Sequence, residues 1–286
     1  RYTSSFSVAT SAHTKDVNTL LLMHCDGAHV GTIFKDHSTS TPNTDGSIES
    51  DVLANPTYGQ SIVSWTGNNT DGATVGHGLS SAPELIINKT RSAVSNSGWH
   101  VYHKDLTANY NLLLNSTQTA WQPASTGWLG TTSSSVFTLE NGSSSGVNVN
   151  PNGVTMITYC FHSVTGYSKF GSYTGDGSSS KQITTGFKPA FVMIKNVDTT
   201  YRWYILDNTR DPTNPAYHRL FANTNDADAT NSNILEFNDT GFKLITSDAE
   251  VNQNGSTHIY MAFADKREYA YWLDQSGNNN DWTSNN

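Results

Sequence analysis

Cysteine and charged residues are both scarce in this chain of 286 residues. With only two cysteines, Cys25 and Cys160, the chain cannot be a disulfide scaffold. Two free thiols are predicted, and a single bridge between them is the alternative. Charged residues make up 14% of the sequence, and no dense lysine or arginine cluster offsets the net charge of -8, so nucleic-acid binding is not expected. No apolar run reaches the roughly 18 residues of a membrane span, so membrane insertion is not expected either.

Residues that favour long helices are few, whereas residues that favour strands and turns are many. Serine, threonine, asparagine and glycine are abundant, and 11% of the residues are aromatic. Aromatic and β-branched residues favour strands, and glycine, asparagine, aspartate and serine favour turns. The composition therefore predicts an all-β protein with many polar loops.

The chain contains the same succession of motifs twice. SIVSWTG at 61–67 corresponds to KFGSYTG at 169–175, and Tyr173 lies 108 residues after Trp65. Toward the end of each copy, Gly255 lies 102 residues after Gly153, so the offset barely drifts. Solenoid repeats are shorter, about 20–50 residues. The duplication therefore predicts two tandem β-sandwich domains, which are jelly-roll-like in the spacing of their short strands.

The predicted division of the chain has four parts. Residues 1–56 are predicted to be the end of a preceding laminin-G-like module plus linker strands, with 38–50 as a polar linker. Repeat one is 57–166 and repeat two is 167–266. Residues 267–286 are predicted to lead into a further module. In VTMITYCF at 154–161 both alternating faces are largely apolar, which predicts a central strand covered on both sides.

The segments RYTSSF at 1–6 and NTLLLMHCDG at 18–27, together with several motifs of the repeats, resemble segments of large tail proteins of marine phages, including cyanophages. RYTSSF at 1–6 resembles the closing strand of their laminin-G or concanavalin-A-like lectin domains, and NTLLLMHCDG at 18–27 resembles the segment that follows it. The repeats resemble a β domain that occurs there in tandem. The motifs that carry this resemblance are SYTGDG at 172–177, GFKPAFVMIK at 186–195, DNTRDP at 207–212, HIYMAFA at 258–264 and the C-terminal YWLDQSGNNNDW at 271–282.

The resemblance covers nearly the whole chain and implies a virion structural protein, a segment of a tail fibre or tail tip. It implies other virion proteins as partners and a homo-oligomer, with a trimer expected by analogy with phage fibres. Contact with host-surface glycans would be multivalent and weak at each site. A purely structural spacer or head-decoration module is the alternative. The first repeat departs from the pattern because it lacks DNTRDP, so a function of that loop is not expected there.

The candidate residues for glycan contact are Trp121, Trp128 and Tyr201. A tryptophan or tyrosine beside asparagine and aspartate can stack on a sugar ring while the polar groups bond its hydroxyls. Contact with a neighbouring module or subunit is the other interpretation of these residues. Trp99 and Trp203 occupy matching places in the two repeats, and each is predicted to pack in the core of its own repeat.

Catalytic and metal sites are not expected. The sequence has no Gly-x-Ser-x-Gly nucleophile motif and no phosphate-binding loop. The resemblance transfers no catalytic residue, so the chain is predicted not to be an enzyme and to need no cofactor. Two alternatives stay open: a glycan depolymerase, which needs only two carboxylates about 5–10 Å apart, and a calcium site. The calcium candidates are Asp207, Asp211, Asp226 and Asp228, whose other interpretation is turn formation.

Overall fold

The protein is described by a computed structural model that covers residues 23–24, 35–36, 41–92, 97–122, 128–140, 149–230 and 232–265. Most of the two N-terminal motifs, Cys25 and all of the C-terminal motif lie outside these residues. The chain divides into two compact units, Arg1–Thr41 and Pro42–Asn286. In the first unit, β1 (Met23–His24) pairs antiparallel with β2 (Lys35–Asp36).

Strands are the main secondary structure in the rest of the described chain, as the composition predicts, and they alternate with turns and loops. Repeat one and the segment before it contain β3 (Thr41–Asn43), β4 (Ser50–Asn55), β5 (Gln60–Thr66), β6 (Ala73–Gly76), β7 (Leu85–Thr90), β8 (His100–His103), β9 (Leu112–Leu113), β10 (Trp128–Thr132), β11 (Val136–Glu140) and β12 (Thr155–Phe161). Repeat two contains β13 (Ser168–Thr174), β14 (Lys181–Thr184), β15 (Pro189–Asn196), β16 (Tyr204–Asp207), β17 (Leu220–Phe221), β18 (Leu235–Asn238), β19 (Gly241–Leu244), α1 (Ala249–Asn252) and β20 (Thr257–Ala264). Among the described residues, no helix has the length and apolar character that crossing a membrane requires.

The two repeats have the same strand topology. In repeat one, the strand order β5-β12-β7-β8-β9 is repeated as β13-β20-β15-β16-β17 in repeat two. The smaller sheet β10-β11-β6 is likewise repeated as β18-β19-β14. Repeat one extends its larger sheet to seven strands by adding β4 and β3, so the segment predicted as a linker supplies part of a sheet. The two copies of the repeated sequence therefore fold with the same strand topology.

Each repeat is a β-sandwich with its own apolar core. In repeat one, the larger sheet contributes Val63, Trp65 and Met156, which pack against Phe137 and Leu139 of the smaller sheet. The corresponding core of repeat two is formed by Val192, Ile194, Tyr204, Leu206, Tyr260, Ile183, Phe237, Phe242 and Leu244. Cys160 lies buried in the first core as a free thiol, and burial raises its pKa.

A third apolar cluster joins the two repeats. Its buried members lie in the strands of the larger sheets of both repeats or directly beside them: Leu85, Val101, Leu112, Phe170, Met193, Val197, Trp203 and Ile259. Phe161, at the end of β12, places its ring 5.9 Å from that of Phe170 and 6.2 Å from that of Phe263. We call this cluster the shared core. Trp203 belongs to it and is 2% exposed, so the prediction that it packs within its own repeat is wrong.

The repeated Thr-Gly motif forms the same tight junction in both repeats. A Cβ atom on Gly67 would collide with the carbonyl oxygen of Pro151, and one on Gly175 would collide with that of Gln253. Only glycine permits so close a backbone approach. The glycine of the motif therefore meets the same structural requirement, a close backbone approach, in both repeats.

A buried asparagine holds the loop after this motif in each repeat. Asn252 Nδ2 donates to Asp176 Oδ1, to the Ser178 carbonyl and to the Thr246 carbonyl, and its Oδ1 accepts from the Asp176 N–H at 3.0 Å. Asn150 makes the corresponding bonds in repeat one, to Asn68. Both amides are fully buried, so each loop depends on one side chain for several hydrogen bonds.

Replacing Asn252 with alanine is expected to lower the free energy of unfolding by about 2–4 kcal/mol, because buried polar groups lose their partners. Urea denaturation of the purified chain measures the loss. Asn254→Ala, two residues away and exposed, is the matched control and is expected to change little. Equal losses in the two variants would contradict the role given to Asn252.

Candidate functional site

A loop of repeat one, residues 113–121, is hydrogen-bonded to repeat two. The Ala120 N–H donates to the Val197 carbonyl at 2.8 Å, and Trp203 Nε1 donates to the Leu113 carbonyl at 3.0 Å. We call residues 113–121 the docking loop. Its contacts join the repeats beside the shared core.

Lys195 makes a further bond between the repeats. Its side chain is fully buried, and its Nζ donates to the carbonyls of Thr117 at 3.1 Å, Thr199 at 3.4 Å and Tyr201 at 2.7 Å. Burial lowers the pKa of this amine to about 8. Three carbonyl partners match the three donors of a lysine ammonium. Lys195 therefore holds the docking loop and the loop of Tyr201 together.

The three aromatic candidates lie in different surroundings. Trp121 ends the docking loop, is half-buried, and exchanges backbone hydrogen bonds with Asn111. Its ring lies 6.5 Å from that of His100. Trp128 lies on the smaller sheet of repeat one, opposite Glu140 and half-buried.

Tyr201 is also half-buried, and its carbonyl accepts a hydrogen bond from buried Lys195. Trp121 and Tyr201 thus belong to loops that meet at the junction of the repeats, whereas Trp128 belongs to a different sheet. Contact within the chain accounts for part of the surface of Trp121. The assignment of all three to glycan contact stays a prediction.

The aspartate candidates for calcium are paired with basic side chains or backbone donors. Asp207 accepts from Arg210 Nε at 2.7 Å, and Arg210 Nη1 lies 3.4 Å from Asp228 Oδ1. Burial opposes ionisation of Asp207, but the hydrogen bonds from Arg210 prevail and lower its pKa. Asp228 also contacts His218 Nδ1 at 2.7 Å.

The other two aspartates are engaged similarly. Asp211 is 4% exposed, and its Oδ2 accepts from the N–H groups of Tyr217 and His218. Asp226 accepts from Thr224 and pairs with Arg202 at 3.5 Å. Within the described parts of the chain, no group of three or more His, Cys, Asp or Glu residues is placed to hold a metal ion. The DNTRDP motif forms a charge-paired loop.

Three buried histidines are held neutral by their surroundings. Burial lowers the pKa values of His100, His103 and His258 to about 4. His100 and His103 lie on β8 at 2% and 1% exposure, as packed histidines. The ring of His258 stacks at 4.9 Å on that of Tyr173, and its Nδ1 lies 3.1 Å from the Ser256 carbonyl.

A cleft of about 300 Å³ opens where the docking loop meets repeat two. We call it the junction cleft, and it is lined by residues 105–107, 110, 119, 120, 197, 198 and 257. This volume is at the small end of the range of about 300–1,000 Å³ that ligand sites occupy. The cleft is directly beside the Ala120–Val197 hydrogen bond, so its walls belong to both repeats.

The lining of the junction cleft is mainly polar. Four of the lining residues, Thr107, Thr119, Thr257 and Tyr110, carry hydroxyl groups. One carboxylate comes from each repeat, Asp105 from repeat one and Asp198 from repeat two; these two side chains were not among the predicted site residues. The sequence does contain a signal for a polar site here. In DLTANYN, residues 105–111, a tyrosine lies among aspartate and asparagine in a turn between strands.

The fold and the junction together define an all-β protein in which two sandwiches of one topology share a core and enclose a polar cleft. The chain belongs to the family described as a domain of unknown function (DUF7483), which matches residues 5–267 and so spans both repeats. No curated protein and no solved structure matches the chain.

Proposed function

We propose that this chain is a structural segment of a phage virion, located in a tail fibre or tail tip, and that it contacts host-surface glycans by multivalent weak binding. The motifs at both ends and in repeat two, which resemble those of marine phage tail proteins, support the virion role. The duplicated sandwich, joined by an apolar shared core, suits a load-bearing appendage built from concatenated modules.

The observation that carries the glycan contact is the junction cleft. It is small, polar and rich in hydroxyl groups, and Tyr110 adds a half-buried ring to its lining. Sugar hydroxyls both donate and accept, as do threonine and tyrosine hydroxyls. In a homo-oligomer, with a trimer proposed by analogy, several clefts would act together, so weak binding at each would suffice.

A structural spacer or head-decoration module that binds only virion partners is the second candidate. The observation that favours it is the placement of the docking loop, where Trp121 lies in contacts within the chain itself. A glycan depolymerase is the third candidate, and the presence of Asp105 and Asp198 in one cleft favours it. Release of shorter saccharides would distinguish the depolymerase from an adhesion protein.

A map of intact virions at side-chain resolution tests the proposal. We expect the chain in the tail or fibre, in several copies, with the junction cleft open to solvent. A cleft covered by another virion protein would favour the spacer. Absence of the chain from purified virions, checked by mass spectrometry, would refute the virion role altogether.

A further inference from the structure

One exposed carboxylate from each repeat belongs to the junction cleft. Asp105 lies in the loop between β8 and β9, and Asp198 follows β15. Concave sites lined by one sign of charge concentrate ligands of the opposite sign. Two aspartates among the lining residues of one small cleft therefore favour a cation and disfavour another anion.

No basic residue offsets these carboxylates among the residues that line the cleft, all of which the structure describes. The neighbouring lysines are engaged elsewhere. Lys104 pairs with Glu84 at 3.5 Å, and Lys195 directs its amine at three backbone carbonyls. The net charge of -8 adds to the attraction for cations.

Asp198 is positioned before any ligand arrives. Its Oδ2 accepts from the Thr257 N–H at 2.7 Å, and its own N–H donates to Asn196 Oδ1 at 3.0 Å. A carboxylate has about four lone-pair sites, so one backbone bond leaves it able to accept more. A side chain already fixed also loses less entropy on binding.

We infer that the junction cleft binds a saccharide unit that carries a free amino group. The ammonium forms charge-assisted hydrogen bonds with Asp105 and Asp198. The ring hydroxyls pair with the threonine hydroxyls, and the ring lies against Tyr110. This inference rests on the proposed glycan contact and specifies its charge: amino sugars bind best, N-acetylated sugars bind less tightly, and carboxylated sugars bind least.

Calorimetric titration of the full chain at about 150 mM salt tests this order, because salt at that concentration screens distant charges. The probes are a glucosamine tetramer, its fully N-acetylated form and a galacturonate tetramer. The cleft variant combines Asp105→Asn with Asp198→Asn, which keeps an oxygen acceptor for the Thr257 N–H. The control combines Asp51→Asn with Asp239→Asn, two exposed positions outside the cleft, and so makes the same change in net charge.

The glucosamine tetramer is expected to bind the cleft variant at least about tenfold more weakly, a loss of about 1.4 kcal/mol, and the control variant as tightly as the natural chain. Thr107→Lys, at an exposed lining position, is expected to lose the glucosamine tetramer and gain the galacturonate tetramer. Unchanged melting temperatures show that the variants are folded.

Three results would overturn the inference. Equal weakening in the cleft and control variants would mean that net charge alone attracts the amine. The second result is that the N-acetylated or acidic tetramer binds the cleft variant as tightly as the natural chain. It would show that the glycan binds outside the junction cleft, and the proposed glycan contact would stand. The third result is that none of the probes binds, which would refute this inference. If a screen of host glycans also detected no binding, the proposed glycan contact would be refuted as well.

Discussion

Acidification from about pH 7.5 to about pH 5 is expected to lower the free energy of unfolding by several kcal/mol. His100, His103 and His258 have pKa values lowered to about 4 in the folded chain. An unfolded histidine titrates near its ordinary pKa of about 6.5. Between these two values the unfolded chain binds more protons, so stability falls as pH falls. Each histidine contributes about 2 kcal/mol of this loss at pH 5.

The repeats themselves suggest the variants that check this cause. By register, the counterpart of His258 in repeat one is Met156, and the counterpart of His100 in repeat two is Tyr204. His258→Met therefore copies the residue that repeat one has at this position, and His100→Phe copies the ring of Tyr204 without its hydroxyl group. The double variant is expected to lose less stability between the two pH values, as measured by urea denaturation at each. A loss as steep as in the natural chain would contradict the assignment to these histidines.

Trp203→Ala is expected to lower the free energy of unfolding by about 3–5 kcal/mol, because a large buried ring leaves a cavity in the core. The shared core is the affected region, and the Leu113 carbonyl also loses its donor. Since this core joins the repeats, the variant is also expected to unfold in two separable steps, one for each sandwich. Chemical denaturation followed by fluorescence and by circular dichroism measures both effects.

Trp99→Ala is the matched control, since Trp99 holds the corresponding place in repeat one and is half-buried. It is expected to destabilise the chain less and to preserve a single transition. Trp203→Phe keeps an apolar ring at the shared core but removes the indole donor and part of the ring volume, so it is expected to destabilise the chain less than Trp203→Ala. If the alanine variants at 99 and 203 behave alike, the shared core does not couple the repeats.

The central strands of the larger sheets could be predicted from sequence because they carry long apolar runs, whereas β3 and β4 lie in the segment predicted as linker. β12 and β20 are central strands, because each lies between two partners in its sheet. VTMITYCF predicts this position for β12, and HIYMAFA in β20 has the same apolar character. The strands β6, β10 and β14 were not predicted. They are short and rich in threonine or glycine, and only one face of each smaller sheet meets a core, so their apolar signal is weak.

The junction cleft could not be predicted for a different reason. Its residues come from four separate segments of the two repeats, and they meet where the shared core joins the larger sheets. Sequence periodicity assigns residues to the faces of a strand, but it does not say which sheet covers a face. In the sequence, the one indication of this packing was that both faces of the strand at 154–161 are apolar, which predicts that each face is covered.

The shared core also limits how such a chain can be rearranged during evolution. Cutting between β12 and β13 would expose Phe161 on one piece and Phe170, Met193 and Trp203 on the other. Large exposed apolar patches promote aggregation. A recombination event that transfers a single repeat therefore produces a damaged protein, whereas one that transfers the pair delivers a folded block. The pair, rather than the single repeat, is therefore the unit that folds as a block.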